Sequence, residues 1–331
     1  MNRLAVETEK RQNPLAALVW RVTTLVSVLL ASALAPTVLA SENVAQAPFA
    51  YWAEVPAEGQ FICGEVYEQS KSYHIWANGQ QYNVLVRAGG ENYGIDIRQG
   101  YFALQYGITA RWAADLEIGG TTVGWRSFSP GNQIVSTTGL MDPSFGFRYQ
   151  IANEAWSSNA PWMPTLTFRA GAVLPGTYSE SIAFAPGFRS AAVEPELLLR
   201  KHFGWPGLGV YGDALYRWNL TTENDNYIVA AGLYQKYRGW ELDGGYRHLQ
   251  TLSGSDIYFS TNGVLDSIVY PREVREISDS IQAGFSYTTS KLHWKYGFHS
   301  LVVFGGNNTD RKPWFGASLD IPIGGKHEPA D

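Results

Sequence analysis

The stretch "GWELDGGYRHLQ", residues 239–250, decides the fold class of this chain. Apolar or aromatic residues and charged residues alternate along it. The two sets are Trp240, Leu242, Gly244, Tyr246 and Glu241, Asp243, Gly245, Arg247. Side chains of a β-strand point to alternate faces, so a period of two predicts a strand with one apolar and one charged face. A helix would need apolar residues three and four positions apart, and this stretch lacks that spacing.

The same alternation recurs from about residue 80 onward. The segments that carry it are about ten residues long, the length of a barrel strand in a bilayer. The predicted strands are 81–89, 97–108, 110–127, 142–152, 164–175, 191–203, 207–219, 226–237, 239–251, 275–288, 291–304 and 313–323. Short connections alternate with longer ones, as in an antiparallel barrel, although the link 153–163 is long where a short turn is expected.

The charged rows favour a barrel over a soluble sandwich, because arginine and acidic residues recur on the same row. A confined, wet lumen lets such charges pair. The residues predicted to line the lumen and the solute path are Arg111, Asp115, Glu117, Arg148, Arg169, Glu196, Arg200, Asp213, Arg217, Glu241, Asp243 and Arg247. We therefore predict an all-β fold, a transmembrane antiparallel β-barrel of about twelve strands of the outer-membrane type. A barrel of that size has a narrow, partly blocked lumen.

Composition agrees with this prediction. The 331 residues include 34 Gly, are 14% aromatic and only 17% charged. Aromatic residues cluster near the predicted strand ends, where a barrel carries its two interfacial girdles. These residues are Trp112, Trp162, Trp218, Trp240, Trp294 and Tyr246.

The N-terminus is typical of an exported protein. Basic residues precede an apolar run that ends in Val38-Leu39-Ala40, which predicts a signal peptide over residues 1–40. Residues 1–40 carry four basic and two acidic residues, so their removal changes the net charge from −5 to −7. An acidic exported chain is a poor nucleic-acid binder. We expect residues 41–79 to form a periplasmic lead-in or plug-like segment, 80–325 the barrel and 326–331 a C-terminal tail.

Short motifs for other chemistry have simpler explanations. "GLGVYG" (207–212) matches a dinucleotide-binding pattern but lies inside a predicted strand with no helix after it. "ENDN" (223–226) fits a solvated hairpin tip as well as a cation site. The single Cys63 excludes an internal disulfide. We predict no cofactor and no metal site.

Three stretches resemble one known family: "LQYGITARWAADLEIG", "LMDPSFGFRYQI" and "PTLTFRAGAVLPGTY". Together they are similar to the core of the outer-membrane proteins labelled "MetA-pathway of phenol degradation", which are related to the long-chain fatty-acid channels. The Tyr106–Thr109 turn matches the family's Tyr-Gly-Leu-Thr pattern except for Ile108. The resemblance covers most of residues 95–325 and implies a barrel with a role in passing hydrophobic or aromatic compounds. It implies no substrate site.

These observations predict an outer-membrane channel of a Gram-negative bacterium for passive uptake of small organic solutes, and not an enzyme. The expected partners are the lipid bilayer, the solute and the barrel-assembly machinery. One alternative is a barrel enzyme acting on lipids, which would need a Ser or His converging with an acid; His248, Ser253 and His299 are its candidates. The other is a structural barrel with a sealed lumen.

Overall fold

The computed structural model describes residues 53–77, 79–83, 86–88, 91–126, 134–156, 162–179, 189–203, 207–221, 223–257, 274–311 and 313–324. The long strands are β1 (Gln60–Ser72), β6 (Ile95–Gly107), β7 (Trp112–Arg126), β9 (Ser144–Ala152), β10 (Thr165–Val173), β11 (Ala192–His202), β12 (Leu208–Asn219), β13 (Asn226–Tyr237), β14 (Trp240–Thr251), β15 (Ile277–Thr288), β16 (Lys295–Asn307) and β18 (Pro313–Gly324). The shorter strands are β2 (His74–Ala77), β3 (Gln80–Asn83), β4 (Val86–Ala88), β5 (Glu91–Tyr93), β8 (Ile134–Leu140) and β17 (Thr309–Asp310). One 3-10 helix, η1, spans Glu154–Trp156. Within these ranges, no helix is long and apolar enough to span a bilayer.

The long strands form one closed antiparallel wall. They follow the order β1-β6-β7-β9-β10-β11-β12-β13-β14-β15-β16-β18, and β18 pairs back onto β1. Strands β8 and β9 share one position in the wall. Strand β7 pairs with β9 along one half of its length and with β8 along the other half. Closure gives each of these twelve long strands a paired neighbour on both sides. The predicted fold class, a barrel of about twelve strands, is confirmed.

The two faces of the wall divide as the opening stretch predicts. On β14, Glu241 is buried inside, whereas Trp240 and Tyr246 are 49% and 45% exposed on the outside. The other strands repeat this pattern, with large apolar side chains such as Phe147 (55%) and Leu233 (56%) on the exterior. Buried charged side chains, among them Arg148, lie on the inward rows. The wall therefore has an apolar exterior and an ionic interior.

The first predicted strand is wrong. The described residues of 81–89 belong to the short strands β3 and β4. These strands pair with β2 and β5 in separate small sheets and are not part of the wall. The wall position belongs to β1, in the range for which we expected a lead-in, so the barrel begins at Gln60 and not at residue 80. Periodicity missed β1 because its two rows are mixed. Polar Glu65, Gln69 and Lys71 point outward, and aliphatic Ile62 and Val66 point inward.

The connections define two ends of the barrel. The turn end carries the links 108–111, 203–207, 238–239 and 289–294, together with the longer link 153–164. The loop end carries the remaining, mostly longer connections. There the small sheet β17-β2-β3 lies against the wall, and Ile75 packs on Ile95, Ile97 and Val123. An apolar cluster therefore covers part of the lumen at the loop end.

A polar clamp at the loop end marks the break between β8 and β9. Pro143 has no N–H to donate to a ladder, and β9 begins at the next residue. The carboxylate of Asp142 accepts hydrogen bonds from the backbone N–H of Gly176 (2.7 Å) and from the hydroxyl of Tyr178 (2.9 Å). Burial, together with this carboxylate, raises the pKa of the Tyr178 phenol above its ordinary value. The clamp fixes the loop after β10.

Residues 53–59 enter the lumen at the turn end. The Ala53 carbonyl accepts hydrogen bonds from the Thr167 hydroxyl and from the side-chain amide of Gln150 (3.2 Å). Ala53 is fully buried. The chain then reaches β1, which lies several strands away around the wall. This short stretch is the described part of the expected plug-like segment that precedes the wall strand β1. The predicted signal peptide 1–40 and the tail 326–331 lie outside the described residues.

Candidate solute path through the barrel

Eleven of the twelve predicted lining residues lie on inward rows of the wall: Asp115, Glu117, Arg148, Arg169, Glu196, Arg200, Asp213, Arg217, Glu241, Asp243 and Arg247. Arg111 does not. It precedes β7, in a tight turn where its backbone N–H donates to the Thr109 hydroxyl (3.2 Å). Its guanidinium stacks over the ring of Trp156, 4.4 Å from the centroid. The prediction for Arg111 is wrong because the strand begins one residue later. A role of the other eleven in a solute path stays a prediction.

Arg169 on β10 is the centre of the largest ion-pair cluster in the described lumen. Its Nη2 lies 2.7 Å and its Nε 2.9 Å from the same carboxylate oxygen of Asp115 on β7. Its Nη1 lies 3.7 Å from carboxylate oxygens of both Glu194 and Glu196 on β11. Arg148 approaches Asp115 from β9 at 4.0 Å. Arg169 is 5% exposed, so three strands, β7, β10 and β11, are joined through one buried guanidinium.

Two facing glycines make room for Arg169. Gly171 on β10 and Gly146 on β9 are opposite each other in the register. A Cβ atom at Gly171 would lie 2.4 Å from Nη1 of Arg169, and one at Gly146 would lie 2.8 Å from Nε. Both distances are shorter than van der Waals contact, so only glycine leaves the guanidinium its place.

Arg217 and Arg200 pair with other segments of the chain, whereas the sequence suggested pairs along one strand. Arg217 contacts Glu194 at 2.6 Å and not Asp213, and Arg200 contacts Glu54 at 2.7 Å and not Glu196. Same-face residues of one strand are about 7 Å apart, whereas neighbouring strands are about 4.8 Å apart. Cross-strand partners are therefore closer than partners two positions away.

At the turn end, the N-terminal segment is fixed by a buried ion pair. Arg200 is fully buried, and its Nη1 lies 2.7 Å from the Glu54 carboxylate. The same guanidinium stacks on the ring of Tyr234, 4.3 Å from the centroid. Arg200 therefore joins the strap of residues 53–59 to the wall and narrows this end of the lumen.

Sequence reasoning missed the inward partners Lys236, Lys295, His299 and Glu68. Glu241 is buried between Lys236 (3.3 Å) and Lys295 (3.4 Å). His299 on β16 lies 3.0 Å from the carboxylate of Glu68 on β1. Alternation alone leaves the face on which Lys236 lies ambiguous. The tight link 238–239 pairs Lys236 with Glu241 across the hairpin. The pair can be found in the sequence by counting the same number of residues away from this link on each strand, since Lys236 lies two residues before it and Glu241 two residues after it.

One side of the lumen keeps accessible surface. On β9–β11 the inward residues Arg148, Arg169 and Glu196 are 1%, 5% and 2% exposed. On β12–β14 seven inward residues are partly exposed, namely Asp213, Leu215, Arg217, Ile228, Asp243, Arg247 and Leu249, whereas Ala230 between Asp213 and Arg247 is buried. Leu215, Ile228 and Leu249 form one continuous row, since each is paired in register with the next. We call this set the β12–β14 hollow.

The candidates for lipid hydrolysis are dispersed. His248 lies on the exterior, where its Nδ1 is 2.8 Å from Asp279 and its Nε2 is 3.5 Å from the amide oxygen of Gln250. Ser253 donates to the side-chain oxygen of Asn224. His299 is inside the barrel with Glu68. The part of the chain that the structure describes holds no group of three or more His, Cys, Asp or Glu side chains that fits a metal ion.

A charged cluster at the turn end lies outside the wall strands. Glu154 of η1 accepts from Nζ of Lys201 (2.9 Å) and from the backbone N–H of His202 (2.9 Å). Burial of Glu154 raises the pKa of its carboxyl, but the hydrogen bonds from His202 and Lys201 outweigh burial and leave the pKa lowered. The carboxylate is therefore ionised at neutral pH and anchors the link 153–164 to β11.

Comparison with known proteins supports the class of fold. The crystal structure of the COG4313 outer membrane channel from Pseudomonas putida F1 is similar over 82% of this chain and 98% of that chain, with a TM-score of 0.62 and 13% identity. The KdgM porin covers 79% of this chain and 99% of its own at a TM-score of 0.42 and 8% identity. A TodX mutant described as a monoaromatic hydrocarbon channel covers 81% and 91% at 0.40 and 9%. The first likeness shows the fold of an outer-membrane barrel, and the other two are too distant to carry an argument.

No protein-family model matches this sequence, and no curated protein matches it. The resemblance to the MetA-pathway family therefore stays a prediction.

Proposed function

We propose that this chain is an outer-membrane channel of a Gram-negative bacterium through which small organic solutes diffuse passively. The observation that carries the proposal is the β12–β14 hollow, whose inward side chains keep accessible surface beside the packed row on β9–β11. If packed side chains filled the lumen around its whole circumference, the inward residues of β9–β11 and of β12–β14 would be equally buried. The apolar exterior fits lipid contact, and the long loops fit the outer surface. Insertion would then use the barrel-assembly machinery of that membrane.

The lining of the hollow indicates the class of solute. The row Leu215, Ile228 and Leu249 offers apolar contact, and Arg217 and Arg247 lie on the same inward face. Such a surface suits a small solute with a hydrophobic or aromatic body and an anionic group, since polar groups orient a ligand within an apolar pocket. We therefore propose aromatic or aliphatic carboxylates as better solutes than unsubstituted hydrocarbons.

Liposome swelling tests this function. Protein reconstituted in liposomes should admit an aromatic carboxylate, and the double variant Arg217→Gln with Arg247→Gln should admit it several-fold more slowly. Arg98→Gln is the matched control, because the Arg98 side chain is 61% exposed on the exterior and pairs with Asp96 there. Swelling and ion conductance that are both absent from folded protein would favour the sealed structural barrel. Equal rates in the double variant would refute the assigned solute class.

A lipid-acting enzyme is a second candidate because His248 and Asp279 meet on the exterior wall. The same vesicles provide its test. Release of fatty acid that is lost in His248→Gln but kept in His299→Gln would support it, and vesicles whose lipids stay intact would exclude it.

A further inference from the structure

Two inward carboxyl groups lie on neighbouring strands at the edge of the β12–β14 hollow. Glu196 is on β11, and Asp213 on β12 is paired in register with Leu198, the next inward residue after Glu196. Glu196 is 2% exposed. Oε1 of Glu196 and Oδ1 of Asp213 are both buried, and neither accepts a hydrogen bond from a donor in the described residues. An ionised carboxylate can only accept, so two of them cannot hydrogen-bond to each other.

The surrounding cations do not supply the missing donor. Arg169 directs Nε and Nη2 at Asp115, and its Nη1 is 3.7 Å from the other oxygen of Glu196. Arg247 on β14 lies in the same register row as Asp213, with Ala230 of β13 between them. Glu194 on the same strand as Glu196 is engaged by Arg217 and by Arg169. These groups, together with Asp115 and Arg148, are the charged neighbours of the pair on β7, β9, β10, β11, β12 and β14.

Two buried carboxylate oxygens on adjacent strands each lack a donor, and a single proton shared between the two groups supplies one. We propose that Glu196 and Asp213 share one proton at neutral pH and so form a protonation site in the wall of the lumen. Loss of the proton to lumen water leaves two like charges side by side, which repel each other. The hollow next to them gains one negative charge. The consequence for permeation rests on the proposed channel function, whereas the protonation itself does not.

Infrared difference spectroscopy tests the site directly. A protonated carboxyl has a C=O stretch that a carboxylate lacks, and this band shifts in heavy water. Folded wild-type protein in lipid vesicles at neutral pH should show one such carboxyl per chain more than Glu196→Gln. The glutamine keeps the shape of the side chain, and its amide N–H can donate to Asp213 in place of the proton. If Glu196→Gln does not fold, the same infrared band is measured in Asp213→Asn, which should also lack it.

Glu194→Gln is the matched control, because Glu194 is the next inward residue on the same strand and pairs with Arg217 at 2.6 Å. It should leave the band intact. A band of the same size in the wild type, Glu196→Gln and Asp213→Asn would overturn the proposal, and so would a band lost only in Glu194→Gln.

Permeation gives the second readout. The ratio of cation to anion permeability should rise in the wild type as the pH is raised through the titration of the pair, and this rise should be absent in Glu196→Gln. A wild type that shows the infrared band but does not conduct would refute the channel and keep the protonation site. A conducting wild type without the band would refute the site and keep the channel.

Discussion

Replacing Arg169 by methionine should be among the most destabilising single changes in the described wall. The side chain is 5% exposed and faces three carboxylates, with Asp115 at 2.7 Å and Glu194 and Glu196 at 3.7 Å. Removing one partner of a buried ion pair costs about 3–5 kcal/mol, because the remaining charge is left in a medium that solvates it poorly. We expect Arg169→Met to lower the free energy of unfolding by about that amount.

The assay is urea unfolding of protein folded in lipid vesicles, followed by tryptophan fluorescence. Arg98→Met is the control, because Arg98 and Asp96 form an exterior ion pair open to solvent, and it should leave the free energy nearly unchanged. Adding Asp115→Asn to Arg169→Met should recover about 0.5–3 kcal/mol through coupling of the two sites. A loss below about 1 kcal/mol in Arg169→Met, comparable to a surface pair, would refute the view that the cluster is held by one buried guanidinium.

Three further results are expected. Glu54→Gln removes the charge that holds buried Arg200, so the strap of residues 53–59 should detach more often and single-channel conductance should rise; an unchanged conductance would show that the strap does not narrow the path. Glu154 has a lowered pKa, so its stabilising effect is complete above the ordinary pKa of 4.5 and is lost as the pH falls through the lower folded-state value. The acid-induced loss of unfolding free energy below that pH should therefore be smaller in Glu154→Gln, and equal losses would contradict the contact with Lys201. Phe147→Arg places a charge on the apolar exterior and should cost about 2–4 kcal/mol in vesicles, whereas a wall facing water would tolerate it.

The strands that sequence could predict are those whose two rows differ chemically. On β14 the inward and outward residues from Trp240 to Arg247 follow from the alternation, because one row is apolar or glycine and the other mostly ionic. On β1 the outward row carries Glu65 and Lys71 and the inward row carries Ile62, so a period of two gives no contrast to read. A strand can therefore be recognised in the sequence where its two rows differ in polarity, and it is missed where both rows are mixed.

The ion-pair partners within the site were harder to predict from the sequence than the residues that line it. The face of each strand follows from parity alone, which is why Arg217 and Arg200 were placed inside. Their partners Glu194 and Glu54 depend on which strands are neighbours and on the register between them. Only hairpins with very short links, such as 238–239, fix that register in the sequence itself. The strap that carries Glu54 has no periodicity to signal its place.

The seam between β1 and β18 joins residues from opposite ends of the polypeptide, from Gln60 beside Gly324 to Ser70 beside Trp314. The ring can therefore shut only after the ribosome has released the last strand and that strand has met the first. Until then β1 and β16 each present a bare edge that can recruit strands from other molecules. A chain cut before Pro313 would lack the piece that closes the circle. We expect such a product to aggregate or be degraded in transit rather than to form a smaller ring.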